Sequence, residues 1–344
     1  MKKIFITGIC GFVGSNLAVF FKKNNYQVYG VDNLSRKGSY KNYLRLKGLG
    51  IKVLIGNLCN NKILKKILRK NKYNDLIHCA AYTSVLDGTN SITSKQLYEN
   101  NIFSTLNSLE IAKKSNSNFI YISSSRVYSL PILNNLKLKF KQNYQLSFNN
   151  IIGLSIKGVN ENFSTSSPLS LYGNSKIICE KMIEEYCIKN KISFVIDRCG
   201  LLAGSGQLYK NDQGIISFWI NSWKKNKKLH YIGFNGLGFQ TRDCLHPYDL
   251  ANLLKIQIKK MKKLKYNNKI FNVSGGTNSS FSLKELSDWC CKNIFYRKIK
   301  SAKKNRIFDI KWLVLDNSKA KREFKWKIKY NKKKIFKDIL NENN

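Results

Sequence analysis

The chain has 344 residues and carries 61 Lys and Arg against 20 Asp and Glu, a formal net charge of +41. That length suits one large core or two lobes sharing an interface, and 43% hydrophobic residues with only 3 prolines argue against disorder outside the ends. The charge attracts nucleic acid, acidic membranes or phosphorylated small molecules. Lysines spread evenly, as in KILKKILRKNK, and without aromatic interleaving, mark a solvated surface rather than a nucleic-acid face.

The opening MKKIFITGICGFVGSNLAVFF places two lysines before an apolar stretch, as a secretory signal does, but Gly8, Gly11 and Gly14 break the run at spacings a signal core does not need. No other stretch approaches the roughly 20 apolar residues of a membrane span. A soluble, cytoplasmic protein with no membrane partner is expected. The 9 cysteines form no CxxC or Cys/His spacing, which points to reduced thiols and no metal.

In chain order the sequence reads KIFITG as a strand, a helix from Ser15 to Lys23, then YQVYGVD, IKVLIGN and NDLIHCA as strands. A helix follows near Tyr98 to Lys114, then the strands NFIYISSS and ISFVIDRC. Apolar runs that do not alternate with polar residues imply strands covered on both faces. The fold class expected is α/β, a Rossmann-type doubly wound parallel sheet with a smaller, mixed α/β C-terminal substrate lobe. Residues 1–198 form the dinucleotide lobe, with 241–275 returning to it, and 199–344 form the substrate lobe. The Asn/Leu/Lys-rich stretch between Tyr128 and Tyr172 reads as an excursion over the active site.

In Thr7-Gly8-Ile9-Cys10-Gly11-Phe12-Val13-Gly14 a strand runs into a glycine turn and then a helix. Such a turn lets backbone approach a pyrophosphate at a helix N-terminus. Asp32, ending the second strand, stands where a carboxylate accepts hydrogen bonds from an adenosine ribose and repels a 2′-phosphate, so NAD is expected over NADP. Arg36 and Lys37 either cap the following loop or remain solvated.

Tyr172 and Lys176 in LYGNSK are four residues apart at the start of a helical run, on one face. A nearby ammonium and a cationic nicotinamide favour a phenolate, which suits acid–base work. Upstream, ISSSRVY ends a strand in three serines. A hydroxyl there can steady a sugar oxygen, and ordinary strand-end capping accounts for the others.

Together TGxxGFxG, the strand-end Asp, SSSxVY and YxxxK resemble the extended short-chain dehydrogenase/reductases, the NAD-dependent sugar epimerase/dehydratase group, over nearly the whole chain. The resemblance implies a nucleotide-sugar substrate and a homodimer. It makes Ser124 the active hydroxyl, Tyr172 the acid/base and Lys176 its partner. Cofactor contacts fall on Gly8, Gly11, Phe12, Val13, Gly14, Asp32, Asn33, Asn57, Leu58, Ala80, Tyr172 and Lys176. Substrate contacts fall on Ser84, Arg126, Arg242 and Arg306, the last equally well a solvated charge. Asn101 reads as a helix-organising residue, and His78 as a structural histidine beside the cofactor.

Two departures matter. Asn57 stands where the group has Asp, leaving its amide oxygen as the adenine acceptor. Ser125 and Arg126 stand where the 4,6-dehydratases place Asp-Glu, so dehydration lacks its acid and base. Within the group, VDNLSRKGS, KGVNENFSTSSPLSLYGNSK and RCGLLAGSGQLYKNDQG look most like the CDP-paratose 2-epimerase (CDP-tyvelose epimerase) enzymes. The other readings are a UDP-hexose 4-epimerase and, from a different class, a Rossmann-fold nucleic-acid or regulatory binding protein.

Overall fold

A computed structural model describes residues 1–70, 72–83, 92–209, 213–265, 268–302 and 306–342. Its centre is a seven-stranded parallel sheet. The strands are β1 (Lys3–Thr7), β2 (Gln27–Asp32), β3 (Lys52–Ile55), β4 (Asp75–His78), β5 (Asn118–Ser124), β6 (Phe194–Cys199) and β7 (Ile270–Val273). In space they run β7-β6-β5-β4-β1-β2-β3. The order reverses beside β1, between β2 and β4, which in open α/β sheets is where a ligand crevice opens at the strands' carboxyl ends. Every residue of β4 and β6 is buried, as their unalternating sequences require. The α/β, Rossmann-type reading of the sequence is thus observed.

Four helices place the site. Helix α1 (Phe12–Lys23) starts three residues earlier than the apolar pattern suggests, because Gly11 serves as its N-cap, and it ends on Lys22 and Lys23, which suit a helix C-terminus. Helix α2 (Ser104–Ser115) is the C-terminal part of the segment expected to be one helix. A short helix, Ser94–Tyr98, and a π-turn, Glu99–Phe103, precede it. The π-turn carries Asn101, whose buried amide accepts from Tyr82 and donates to Ser175. Helix α3 (Leu171–Lys189) begins at Ser170, whose hydroxyl accepts the Gly173 N–H. Helix α4 (Pro247–Lys260) buries Leu250, Leu253 and Leu254 in the same core as Leu17 and Phe21 of α1.

A smaller sheet forms the second lobe. Thr241–Leu245 pairs in parallel with Leu201–Leu202 and with Trp312–Leu313, and antiparallel with Ser280–Ser282. The chain therefore comes back to the central sheet through α4 and β7, after Thr241–Leu245 has joined the smaller one. The 128–172 excursion holds two short hairpins, Leu138–Phe140 with Tyr144–Leu146 and Leu154–Ser155 with Gly158–Val159.

One acid in the core has a measurable consequence. Asp197 of β6 is 0% exposed, and Gln257 of α4 donates to one carboxylate oxygen at 2.7 Å. The other oxygen has no hydrogen-bond partner among the described residues. Burial pushes its pKa up to about 7 against the Gln257 hydrogen bond. The folded state then holds a proton that the unfolded chain releases near pH 4, so stability falls as pH rises through that interval and levels off above about 7. Asp197→Asn is expected to flatten this fall, gaining up to about 4 kcal/mol over the wild type at pH 8. Denaturant melts from pH 5 to 8 read it, and parallel curves for the two proteins would refute it.

Candidate active site

Gly8, at φ +64°, turns the chain out of β1; a Cβ there would lie 2.9 Å from the Ala80 backbone. A Cβ at Gly14 would lie 2.2 Å from the Gly8 carbonyl oxygen. The exit of β1, the first turn of α1 and the chain beyond β4 thus meet backbone to backbone, a contact only glycine allows. Gly11 caps α1 without a side-chain hydrogen bond, and the first turn of Phe12, Val13 and Gly14 contains no acid. The helix N-terminus is therefore left to an anion from outside the helix.

Asp32 lies beside this turn. Its carboxylate accepts the Cys10 N–H at 2.9 Å and the Leu34 N–H at 2.8 Å. Burial raises its pKa, and these backbone donors oppose that rise. Asn33 uses its amide oxygen on the Ser35 N–H, and Asn57 uses its own on the Cys59 N–H at 3.0 Å. The adenine acceptor expected of Asn57 is thus also the group that closes its own turn. Leu58 is buried among Val31 and Leu109. Arg36 neither caps its loop nor stays in solvent; it reaches the second lobe, donating to Gln213 and to the Leu208 carbonyl. A glycine-bounded turn, a first helical turn without an acid and a carboxylate ending the next strand form a set that fits NAD.

Tyr172 is 7% exposed and Lys176, one turn further along α3, is 3% exposed. The Lys176 ammonium donates to the Ile122 carbonyl at 2.9 Å and stands 4.5 Å from the Tyr121 ring and 6.0 Å from the Tyr172 ring. Burial lowers its pKa; Cys179, Cys79, Cys199 and Glu180 act the other way. Ser124 ends β5, two residues past Ile122. Its hydroxyl oxygen accepts the Arg126 N–H at 3.2 Å, so the serine expected to meet substrate also caps the 3-10 turn Ser125–Val127. A Cβ at Gly173 would lie 2.2 Å from the Arg126 carbonyl oxygen, which sets the start of α3 directly against the chain after Ser124.

Two residues brace this arrangement. Asn101 donates to Ser175 of α3 at 2.9 Å and accepts the Tyr82 N–H at 2.8 Å, tying α3 to the chain beyond β4. His78 is buried among Thr7, Thr105 and Ser108, at 2.6, 3.0 and 2.9 Å, and stacks on Tyr121. Burial, then Lys176, hold its pKa well below the usual value, so it stays neutral.

The arginines expected at the substrate converge. Arg242 donates to the Ile310 carbonyl at 2.7 Å and pairs with Asp309 at 3.5 Å. Arg126 donates to the Phe308 carbonyl at 3.0 Å. Burial, then repulsion from Arg126, draws the Arg242 pKa down to about 10 against the pull of Asp309. Burial also lowers that of Arg126, with Asp309 and Tyr172 opposing and Arg306 adding to the fall. Arg306 is exposed at the edge of this group. Cations that depress one another in this way favour an added anion, and guanidinium forks match phosphate oxygens. Ser84 lies outside the described residues.

Sequence reasoning missed two parts. Asp309 orients Arg242 although 67 positions separate them; its signal was to be the one acid between Asp288 and Asp316. Glu180 and Arg198 form a buried pair beneath Lys176, 2.7 Å apart, with Ser123 donating to Glu180 at 2.5 Å. Its signal was an acid one turn beyond Lys176.

The NAD dependent epimerase/dehydratase family model matches residues 4–274. A CDP-paratose 2-epimerase of Salmonella typhi is 30% identical over 298 residues, 84% of each chain. A putative UDP-glucose 4-epimerase of Methanocaldococcus jannaschii is 29% identical over 342 residues, 98% of this chain and 97% of that one. Among solved structures, the UDP-glucose 4-epimerase of Bifidobacterium longum in complex with NAD+ and UDP superposes with a TM-score of 0.78 at 21% identity, covering 99% of this chain and 97% of the other. By its glycine turn, its strand order and this match, the chain belongs to the NAD dependent epimerase/dehydratase family.

Proposed function

We propose that the protein epimerises a nucleotide-diphospho-sugar through a transient keto sugar, the substrate being CDP-paratose and the product CDP-tyvelose. The observation that carries the proposal is the convergence of Ser124, Tyr172 and Lys176 with Arg126 and Arg242, beside a glycine turn suited to NAD. In this reading Gly8, Gly11, Phe12, Val13, Gly14, Asp32, Asn33, Asn57, Leu58, Ala80, Tyr172 and Lys176 hold the dinucleotide. The arginines and Ser84 hold the sugar nucleotide. Residues 1–198, with the returning α4 and β7, carry the dinucleotide site together with Ser84 and Arg126, and the rest of 199–344, with Arg242 and Arg306, serves the sugar nucleotide.

When bound, NAD supplies a hydride acceptor in the first half of the reaction and the donor in the second. Tyr172, as phenolate, takes the proton from the sugar 2-hydroxyl while Ser124 steadies that oxygen, and returns it after the keto sugar has presented its other face. Lys176 favours the phenolate by charge. Ser125 and Arg126 bring no carboxylate to the sugar, which favours epimerisation over loss of water. No external redox partner is needed, because the hydride returns within each cycle.

A UDP-hexose 4-epimerase, using the same residues on another carbon, is the second reading, favoured by the near-full-length match to the methanogen protein. Incubation of purified protein with CDP-paratose and with UDP-glucose separates the two. Conversion of CDP-paratose is expected, and turnover of the UDP sugar alone would replace the proposal by the second reading.

A further inference from the structure

The excursion between Ser129 and Asn160 contributes a feature that epimerisation does not use. Three large apolar side chains spaced four residues apart stand almost wholly in solvent: Phe148 is 85% exposed, Ile152 84% and Ile156 90%. Ile156 occupies the two-residue tip of the hairpin joining Leu154–Ser155 to Gly158–Val159, a place where turns take Gly, Asn, Asp or Ser. Four exposed lysines, Lys137, Lys139, Lys141 and Lys157, flank these residues. No Asp or Glu occurs between Glu110 and Glu161.

The backbone bearing these side chains is held in place. Asn149 closes a pair of hydrogen bonds with the Lys137 backbone, at 2.8 and 3.1 Å. The second hairpin is fastened to the small lobe by the Val159 N–H on the Val314 carbonyl, at 2.9 Å. Exposure of the apolar side chains is thus a property of a fixed surface. Single exposed apolar residues are ordinary; three within nine positions, on an ordered excursion ringed by one sign of charge, are not.

We propose that residues 137–157 form a peripheral attachment surface for an anionic lipid bilayer. Aliphatic and phenyl side chains enter the boundary between headgroups and acyl chains, while lysines beside them meet anionic headgroups. A second copy of the chain is a poor occupant here, since it would bring the same four lysines against this surface. Nucleic acid is a poor one too, because of the three only Phe148 offers a base a stacking face. The contact is peripheral: among the described residues no helix is long and apolar enough to cross a membrane. It departs from the sequence reading, which expected no membrane partner.

The test is cosedimentation of the full chain with vesicles of phosphatidylcholine alone and mixed with phosphatidylglycerol, at physiological salt. Binding to the mixed vesicles only is expected. It should weaken at least about tenfold in Phe148→Ser/Ile152→Ser/Ile156→Ser, and by a similar factor in Lys137→Gln/Lys139→Gln/Lys141→Gln/Lys157→Gln. Lys62→Gln/Lys65→Gln/Lys66→Gln, on the exposed face of Asn61–Lys70, should bind as the wild type does. In Phe148→Trp the indole emission should shift to the blue on mixed vesicles. Absence of binding to phosphatidylglycerol, or a serine variant that binds undiminished, overturns the proposal. So does a serine variant whose only change is lost self-association or lost RNA binding. Because the altered side chains are exposed, melting curves should coincide with that of the wild type.

Discussion

Tyr172→Phe is expected to lower turnover of the nucleotide sugar by about 10²–10⁴-fold while thermal stability and binding of the nucleotide persist. The lost atom is one phenolic oxygen on a ring that is 7% exposed, so packing is nearly conserved. What disappears is the group that exchanges a proton with the sugar hydroxyl. Lys176→Met should act through the same step and should also move the acidic, rising limb of the pH–rate profile to higher pH. The lysine ammonium is fixed by the Ile122 carbonyl and lies 6.0 Å from the Tyr172 ring, so its removal takes away a positive charge that favours phenolate. Steady-state kinetics with ligand-binding titration decide it. A Tyr172→Phe enzyme keeping a tenth or more of wild-type turnover would remove Tyr172 from the chemistry.

Arg198→Met should cost about 3–5 kcal/mol, the largest effect on folding anticipated here, because it leaves Glu180 charged and buried without its partner. Glu180 has 1% side-chain exposure and Arg198 has 7%. The guanidinium meets both carboxylate oxygens at 2.7 to 3.2 Å and lies over the Tyr128 ring at 5.3 Å. Burial pulls the Arg198 pKa down, but Glu180 and Tyr128 outweigh it and the net movement is upward. Adding Glu180→Leu to Arg198→Met removes the stranded charge and should recover most of the stability. Activity should stay low in the double variant. Glu180 also accepts from Ser123, the neighbour of Ser124, and stands one turn from Lys176, so it acts as a positioning residue for both. Denaturant melts and kcat measured side by side read this separation. Recovery of kcat together with stability would reduce the pair to a packing element.

The parts of the site legible in the sequence were those written in one contiguous segment. The glycine turn of residues 8–14, Asp32 at the end of its strand and the Tyr172–Lys176 interval each follow from local periodicity and backbone sterics. The unalternating strands gave the parallel sheet for the same reason. What the sequence did not display was long-range partnership. Asp309 reaches Arg242 because Trp312–Leu313 pairs beside Thr241–Leu245, and no local pattern encodes that register. Arg36 was expected at a loop cap or in solvent, and its contact with Leu208 and Gln213 depends on how the lobes meet. The break of the expected Tyr98–Lys114 helix at the π-turn is another such case. There Asn101 meets Tyr82 and Ser175, which lie on different segments, a partnership no local pattern shows. The solvent exposure of Phe148, Ile152 and Ile156 was hidden too, since apolar letters alone do not say whether a loop or hairpin tip packs inward or faces outward.

The strand order has a consequence for the chain as it leaves the ribosome. About seventy residues separate β6 from β7, and β7 is what covers the outer side of β6 in the finished sheet. Until that later stretch has been translated, β6, whose apolar residues flank Asp197 and Arg198, presents an unpaired edge while Tyr172, Lys176 and Ser124 have already been made. Nascent chains stalled before residue 270 should therefore associate with holdase chaperones and release only when the closing strand arrives, because an open edge of that composition invites pairing with other chains.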